Sequence, residues 1–136
     1  MDKRHTHRIE LMKLLFAHTF LQNDEQHLDI EVASEDDVAW LEKISQALPA
    51  IDQQLSHFAP ERPLSQINKV DLAIMRSIVF ESQTQNTPKK VLIDEAVEMA
   101  KEFGTESSPK FVNGVLAKIV FADQTADTVE SINGNR

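Results

Sequence analysis

Apolar residues in this chain recur three and four positions apart over nearly its whole length, and the short apolar clusters all sit inside such periods. That spacing puts them on one face of an α-helix, whereas a half-buried strand needs strict alternation. Ile9, Met12, Leu15/Phe16 and Thr19/Phe20 predict a first helix from about Thr6 to Leu21, with Gln22-Asn23-Asp24 as its exit. The acidic stretch Gln26–Ala33 has no clear period and reads as a loop with at most a helical turn. Ser34 followed by Glu35-Asp36-Asp37 is a helix start, a capping hydroxyl with acids against the positive end of the helix dipole. Val38, Leu41, Ile44 and Leu48, continued by Ile51, Leu55 and Phe58, give the buried stripe, which Pro49 should kink or interrupt.

Ala59-Pro60-Glu61-Arg62-Pro63 reads as a linker between two halves. Beyond it, Ile67, Val70, Ile74 and Ile78 mark a helix ending around Ser82. Thr87-Pro88 predicts a hydroxyl cap before a proline at the first helical position, and Gly104 a left-handed stop. Ser108-Pro109 then opens a last helix carrying Phe111/Val112, Val115/Leu116 and Ile119/Val120. The expectation is an all-α bundle of five to seven helices in two small subdomains, about 1–59 and 64–121, with a disordered tail over 122–136.

The chain is acidic, with 14 Lys/Arg against 22 Asp/Glu and a formal charge of −8. The charge is uneven. Met1–Asn23 carries four bases and two acids, whereas Asp24–Asp52 carries nine acids and only Lys43. General nucleic-acid binding needs clustered cations, so a small basic patch on an acidic body favours a local, partner-assisted or sequence-selective mode. Zero cysteines exclude a disulfide framework, a thiol nucleophile and a cysteine metal site, and fit a cytoplasmic protein. No apolar run approaches the roughly 20 residues of a membrane span.

Catalysis has no support in the sequence. Three glycines cannot build a glycine-rich phosphate loop. His5 and His7 point to different helix faces, which does not suit a metal site. Asp94 and Glu98 share a face beside Lys90 and Lys101, as a solvated helix surface would. Helix capping accounts for Ser107 and Ser108. No enzyme activity and no cofactor are expected.

Val70-Asp71-Leu72-Ala73-Ile74-Met75-Arg76, Val79-Phe80-Glu81, Pro88 and Ile93–Lys101 follow one another in an order that resembles the NusB transcription-antitermination family. The run Lys101–Leu116, containing Phe103-Gly104-Thr105 and Ser108-Pro109-Lys110-Phe111-Val112-Asn113-Gly114, is similar to that family's most characteristic stretch, and Arg8–Phe16 to its first helix. The resemblance implies a two-subdomain helical protein that binds boxA RNA of ribosomal RNA leader transcripts with the ribosomal protein NusE. Both would join an antitermination complex on RNA polymerase.

The resemblance also implies where contacts fall. Lys3, Arg4 and Arg8 match the family's basic N-terminus, with His5 and His7 standing where further bases are common. Lys110 and Phe111 match a Lys-Phe pair at the start of the last helix, where Phe111 is either a base-stacking surface or core. Ser107 stands where an acid is frequent, close to the RNA. Asp71 and Phe80 are assigned to NusE contact, although a helix-start acid accounts for Asp71 equally well; Asn113-Gly114 is read as close helix packing, because glycine inside a helix otherwise costs about 1 kcal/mol against alanine. Two other readings stay open: a protein-interaction module with reduced RNA binding, and the RNA-binding fragment of an rRNA cytosine methyltransferase.

Overall fold

The computed structural model describes residues 2–22 and 34–122, and these hold five α-helices and one turn of 3₁₀ helix. The elements are α1 (Lys3–Gln22), α2 (Glu35–Phe58), the 3₁₀ turn Leu64–Gln66, α3 (Lys69–Thr84), α4 (Lys89–Phe103) and α5 (Ser108–Val120). The described residues contain no strand. The expectations for Gln26–Ala33 and for the tail beyond Ala122 lie outside the described residues.

Caps set most of the helix starts. α1 begins three residues earlier than its apolar period suggests, because Asp2 Oδ1 accepts from the Arg4 amide at 3.0 Å. Ser34 caps α2 as its sequence requires, accepting from the Asp37 amide at 3.2 Å. Asn68 caps α3, its Oδ1 accepting from Val70 and Asp71 amides at 2.8 and 3.3 Å. α2 runs unbroken through Pro49. That residue is exposed, so the carbonyl that loses its intrahelical donor is on the side where water can replace it.

The core is one cluster drawn from all five helices. Met12 and Leu15 come from α1, and Leu41, Ile44, Ile51 and Leu55 from α2; Ile74, Met75, Ile78 and Val79 come from α3, Met99 from α4 and Leu116 from α5. α3 is the central element, with buried positions on almost every side from Asp71 to Phe80. Val38 departs from the expected α2 stripe: it is 46% exposed, lying in the first turn of α2. Arg76 ties α3 to α2 through two bonds to Asp52, both 2.8 Å.

Two local expectations are corrected. Gly104 ends α4 with φ −92° and ψ −163°, extended rather than left-handed. A Cβ there would meet Ser108 Oγ at 2.5 Å, Ser108 Cβ at 2.6 Å and the Ala100 carbonyl at 2.8 Å. The residue is glycine for room, because α5 folds back directly over the end of α4. Gly114 shows the reverse: it is exposed, and a Cβ there would have nothing within 4 Å. Close packing therefore does not explain it.

Candidate nucleic-acid interface

The first turns of α1 are held against α3 and α4 by charge. Arg8 donates from Nε and Nη2 to the two Glu81 oxygens, each at 2.9 Å, and its Nη1 lies 3.6 Å from Glu95 Oε2. Thr87 adds a third donor to Glu81 at 2.7 Å, which is where its hydroxyl goes instead of capping α4. His5 Nδ1 meets Glu95 Oε2 at 2.5 Å. Burial alone would push the Glu81 carboxyl up, yet the Arg8 and Thr87 hydrogen bonds and the Arg8 charge hold it below the usual carboxylate range. The same pairing raises Arg8, chiefly through its hydrogen bonds to Glu81.

The structure thus separates the expected N-terminal contacts into two groups. Lys3, Arg4 and His7 are exposed. Arg8, with a side chain 12% exposed, and His5 are engaged by carboxylates within the molecule. α1 runs alongside α4, with His5 at Glu95 and the exposed Lys13 Nζ 4.9 Å from the centre of the Phe103 ring. Glu95 and Phe103 are eight residues apart, so the N-terminal cations and the end of α4 are about 12 Å apart along the helix.

The second expected cluster sits where α4 turns into α5. Ser108 is fully buried, accepting from the Thr105 amide at 2.8 Å and donating to Asp71 Oδ2 at 2.9 Å. Its hydroxyl joins α3 to α5 and does not serve as a cap. Ser107 makes no side-chain capping bond either, being exposed with its Oγ 3.3 Å from Thr105 Oγ1. Lys110 is exposed, and Phe111 is half-buried, so its ring belongs to both core and surface. The Arg62 guanidinium lies over that ring, 4.4 Å from its centre.

Asp71 and Phe80, expected at a protein partner, are 3% and 7% exposed. Asp71 faces α5, and its Oδ1 has no hydrogen-bond partner among the described residues. Desolvation pushes its carboxyl up, with the Ser108 hydroxyl and the Arg62 charge opposing that shift. Phe80 packs edge-on against Trp40 with centroids 6.1 Å apart. Phe80, but not Asp71, lines a groove of about 1160 Å³ that also takes in Trp40, Arg4, His7, Glu81 and Val91. Neither side chain offers more than an edge to a partner.

The NusB family model matches residues 5–121. The chain belongs to the NusB family. It is 35% identical over 131 aligned residues to the transcription antitermination protein NusB of Chloroflexus aggregans, covering 88% of this chain and 87% of that one. Against the NusB of Campylobacter curvus it is 36% identical over 126 residues, covering 85% and 95%. A solved T. maritima NusB structure superposes with a TM-score of 0.72 at 32% identity, covering 88% of this chain and 92% of that one. These NusB relatives carry the name of antitermination proteins and not of enzymes. Among the described residues no three His, Cys, Asp or Glu side chains gather as a metal site, and no helix is long and apolar enough to cross a membrane.

Arg62 carries no signal of a binding role in the sequence. It stands in the proline-punctuated linker, and nothing local shows that the linker crosses the first turn of α5.

Proposed function

We propose that this NusB-family protein binds boxA-type single-stranded RNA of ribosomal RNA leader transcripts together with NusE, and through that complex suppresses premature termination by RNA polymerase. The observation that carries the reading is the sorting of its cations. In the free protein Arg8 and Arg76 are each held in a bidentate ion pair that joins two helices. Lys3, Arg4 and Lys110 are exposed and have no carboxylate within ion-pair distance among the described residues. Single-stranded RNA is recognised by combining phosphate-seeking cations with aromatic side chains, and half-buried Phe111 stands beside Lys110.

RNA contact falls on Lys3, Arg4 and His7 at one end and on Ser107, Lys110 and Phe111 at the other. His5 and Arg8 join it by exchanging Glu95 and Glu81 for phosphate; in the free protein they fix the angle at which α1 leaves the body. NusE contact at Phe80 is made along the groove that Phe80 and Trp40 floor, and Asp71 acts from inside by seating α5. Because the body is acidic, the partner supplies much of the positive field, so RNA affinity depends on it.

The test is a triple substitution, Lys3→Ala, Arg4→Ala and Lys110→Ala, measured for boxA RNA binding in the presence of NusE. Loss of three phosphate contacts should lower the slope of log affinity against log salt by about 2. An unchanged slope with unchanged affinity overturns the assignment. Retained NusE binding with no RNA binding by the unsubstituted protein would favour a protein-interaction module, the role that the engaged Arg8 and His5 would suit.

A further inference from the structure

We propose that Arg62 is itself an RNA-binding residue, its guanidinium and the Phe111 ring together forming a stacking platform for one unpaired base and the phosphate beside it. The inference rests on the reading of the α5 start as RNA-binding surface, and assigns there a residue from a different part of the chain.

The arginines of the described residues are Arg4, Arg8, Arg62 and Arg76. Arg8 and Arg76 each spend two donors on one carboxylate, with side chains 12% and 15% exposed. Arg62 is built differently. It is exposed, it has no carboxylate within ion-pair distance among the described residues, and its guanidinium is stationed over an aromatic ring at 4.4 Å. Asp71 is close enough to feel its charge but is buried and bonded to Ser108.

Its presentation is fixed. The Ala59 amide closes the end of α2 by donating to the Leu55 carbonyl at 2.9 Å, and the Arg62 amide turns the chain by donating to Ala59 at 3.2 Å. Pro60 and Pro63 flank the turn and lock their own φ angles. The backbone that carries Arg62 therefore loses little freedom on binding.

The chemistry fits one ligand class. A guanidinium is planar, weakly hydrated and always charged, so it stacks on a ring or a base while its edge donors stay available to phosphate. With Arg62 over half-buried Phe111, the exposed group at this point is cationic as well as aromatic. Lys110 beside it supplies a point charge for the backbone. Unpaired bases of single-stranded RNA stack on aromatic side chains and on arginine planes alike. A purely structural Arg62, laid down to cover Phe111 and offset Asp71, would affect stability and leave RNA affinity alone.

The experiment uses the full chain with NusE and a fluorescein-labelled single-stranded boxA RNA, read by anisotropy at several salt concentrations. Arg62→Ala is expected to weaken binding roughly tenfold and to lower the salt slope by about 0.7, one single-strand phosphate contact. Arg62→Lys should restore the slope but leave most of the affinity loss, since an ammonium does not stack flat. Phe111→Ala should also weaken binding, with little further loss on adding Arg62→Ala. The thermal midpoint of Arg62→Ala should stay near that of the parent, its side chain being exposed.

Wild-type affinity and slope in Arg62→Ala overturn the proposal. So does complete rescue by lysine, or full additivity with Phe111→Ala, since either removes the shared platform. Failure of the underlying reading shows differently: the unsubstituted protein would bind boxA RNA no better than a scrambled sequence, and the role of Arg62 would fall with it.

Discussion

Gly104→Ala and Gly114→Ala are the same chemical change in neighbouring segments, and the structure gives them opposite signs. At Gly104 the added methyl meets three atoms below 3.0 Å, two of Ser108 and one backbone oxygen of Ala100. Ser108 cannot step aside, because it is fully buried and bonded to both Thr105 and Asp71. Overpacking of this kind costs about 1–3 kcal/mol, against a gain of at most about 1 kcal/mol from a stiffer unfolded chain. At Gly114 the methyl enters open space within α5, where alanine is favoured over glycine by about 1 kcal/mol. The two variants should therefore differ by roughly 1–4 kcal/mol in urea unfolding at unchanged m-value. Gly104→Asn separates the physical causes. A left-handed stop would tolerate asparagine, whereas a site that is glycine for room should suffer from it more than from alanine. A Gly104→Ala protein more stable than its parent, or a Gly114→Ala protein no more stable than its parent, refutes the reasoning.

Other expectations follow from the buried charges. Glu81 is held below its ordinary pKa, so its contribution is complete above the unfolded carboxylate range near 4.5 and is lost as pH falls through the lower folded value. Glu81→Gln should flatten the acid limb of the stability–pH curve and, at neutral pH, cost about 1–3 kcal/mol by leaving Arg8 without its carboxylate; a limb as steep as the parent's contradicts this. Asp71 has the opposite sign: burial raises its pKa, so it opposes folding above the raised value and the penalty disappears below the unfolded one. Ser108→Ala removes the hydroxyl that donates to Asp71 and accepts from Thr105, and should cost about 1–3 kcal/mol by chemical denaturation. Ser34→Ala should cost about 1 kcal/mol as a lost α2 cap, and no measurable change would show the cap to be idle.

What could be read in the sequence was what is local along the chain. The helical periods, the Ser34 start and the stop at residue 104 depend on residues within a turn or two of one another, and they place the helices within a few positions. Three of the departures share one cause. Thr87, Ser108 and Gly104 each have a usual local role, yet each answers to another element: Thr87 to Glu81, Ser108 to Asp71, and Gly104 to the α5 turn folded over it. The same holds at the candidate interface. Sequence spacing singles out a basic N-terminus but cannot show that Arg8 is taken up by Glu81, 73 residues away. Nor does a linker arginine reveal that it lies on Phe111. The family resemblance reached the α5 residues because they form one continuous run; Arg62 lies outside it.

The most direct test of RNA recognition is an anisotropy titration of labelled boxA RNA with this protein alone and then with NusE, at low and high salt, beside a scrambled RNA. Tight, salt-sensitive binding that prefers boxA and strengthens when NusE is added is the expected result. Association with NusE but no binding of boxA RNA under any of these conditions would contradict it, leaving a NusB-family protein that works through protein contact alone.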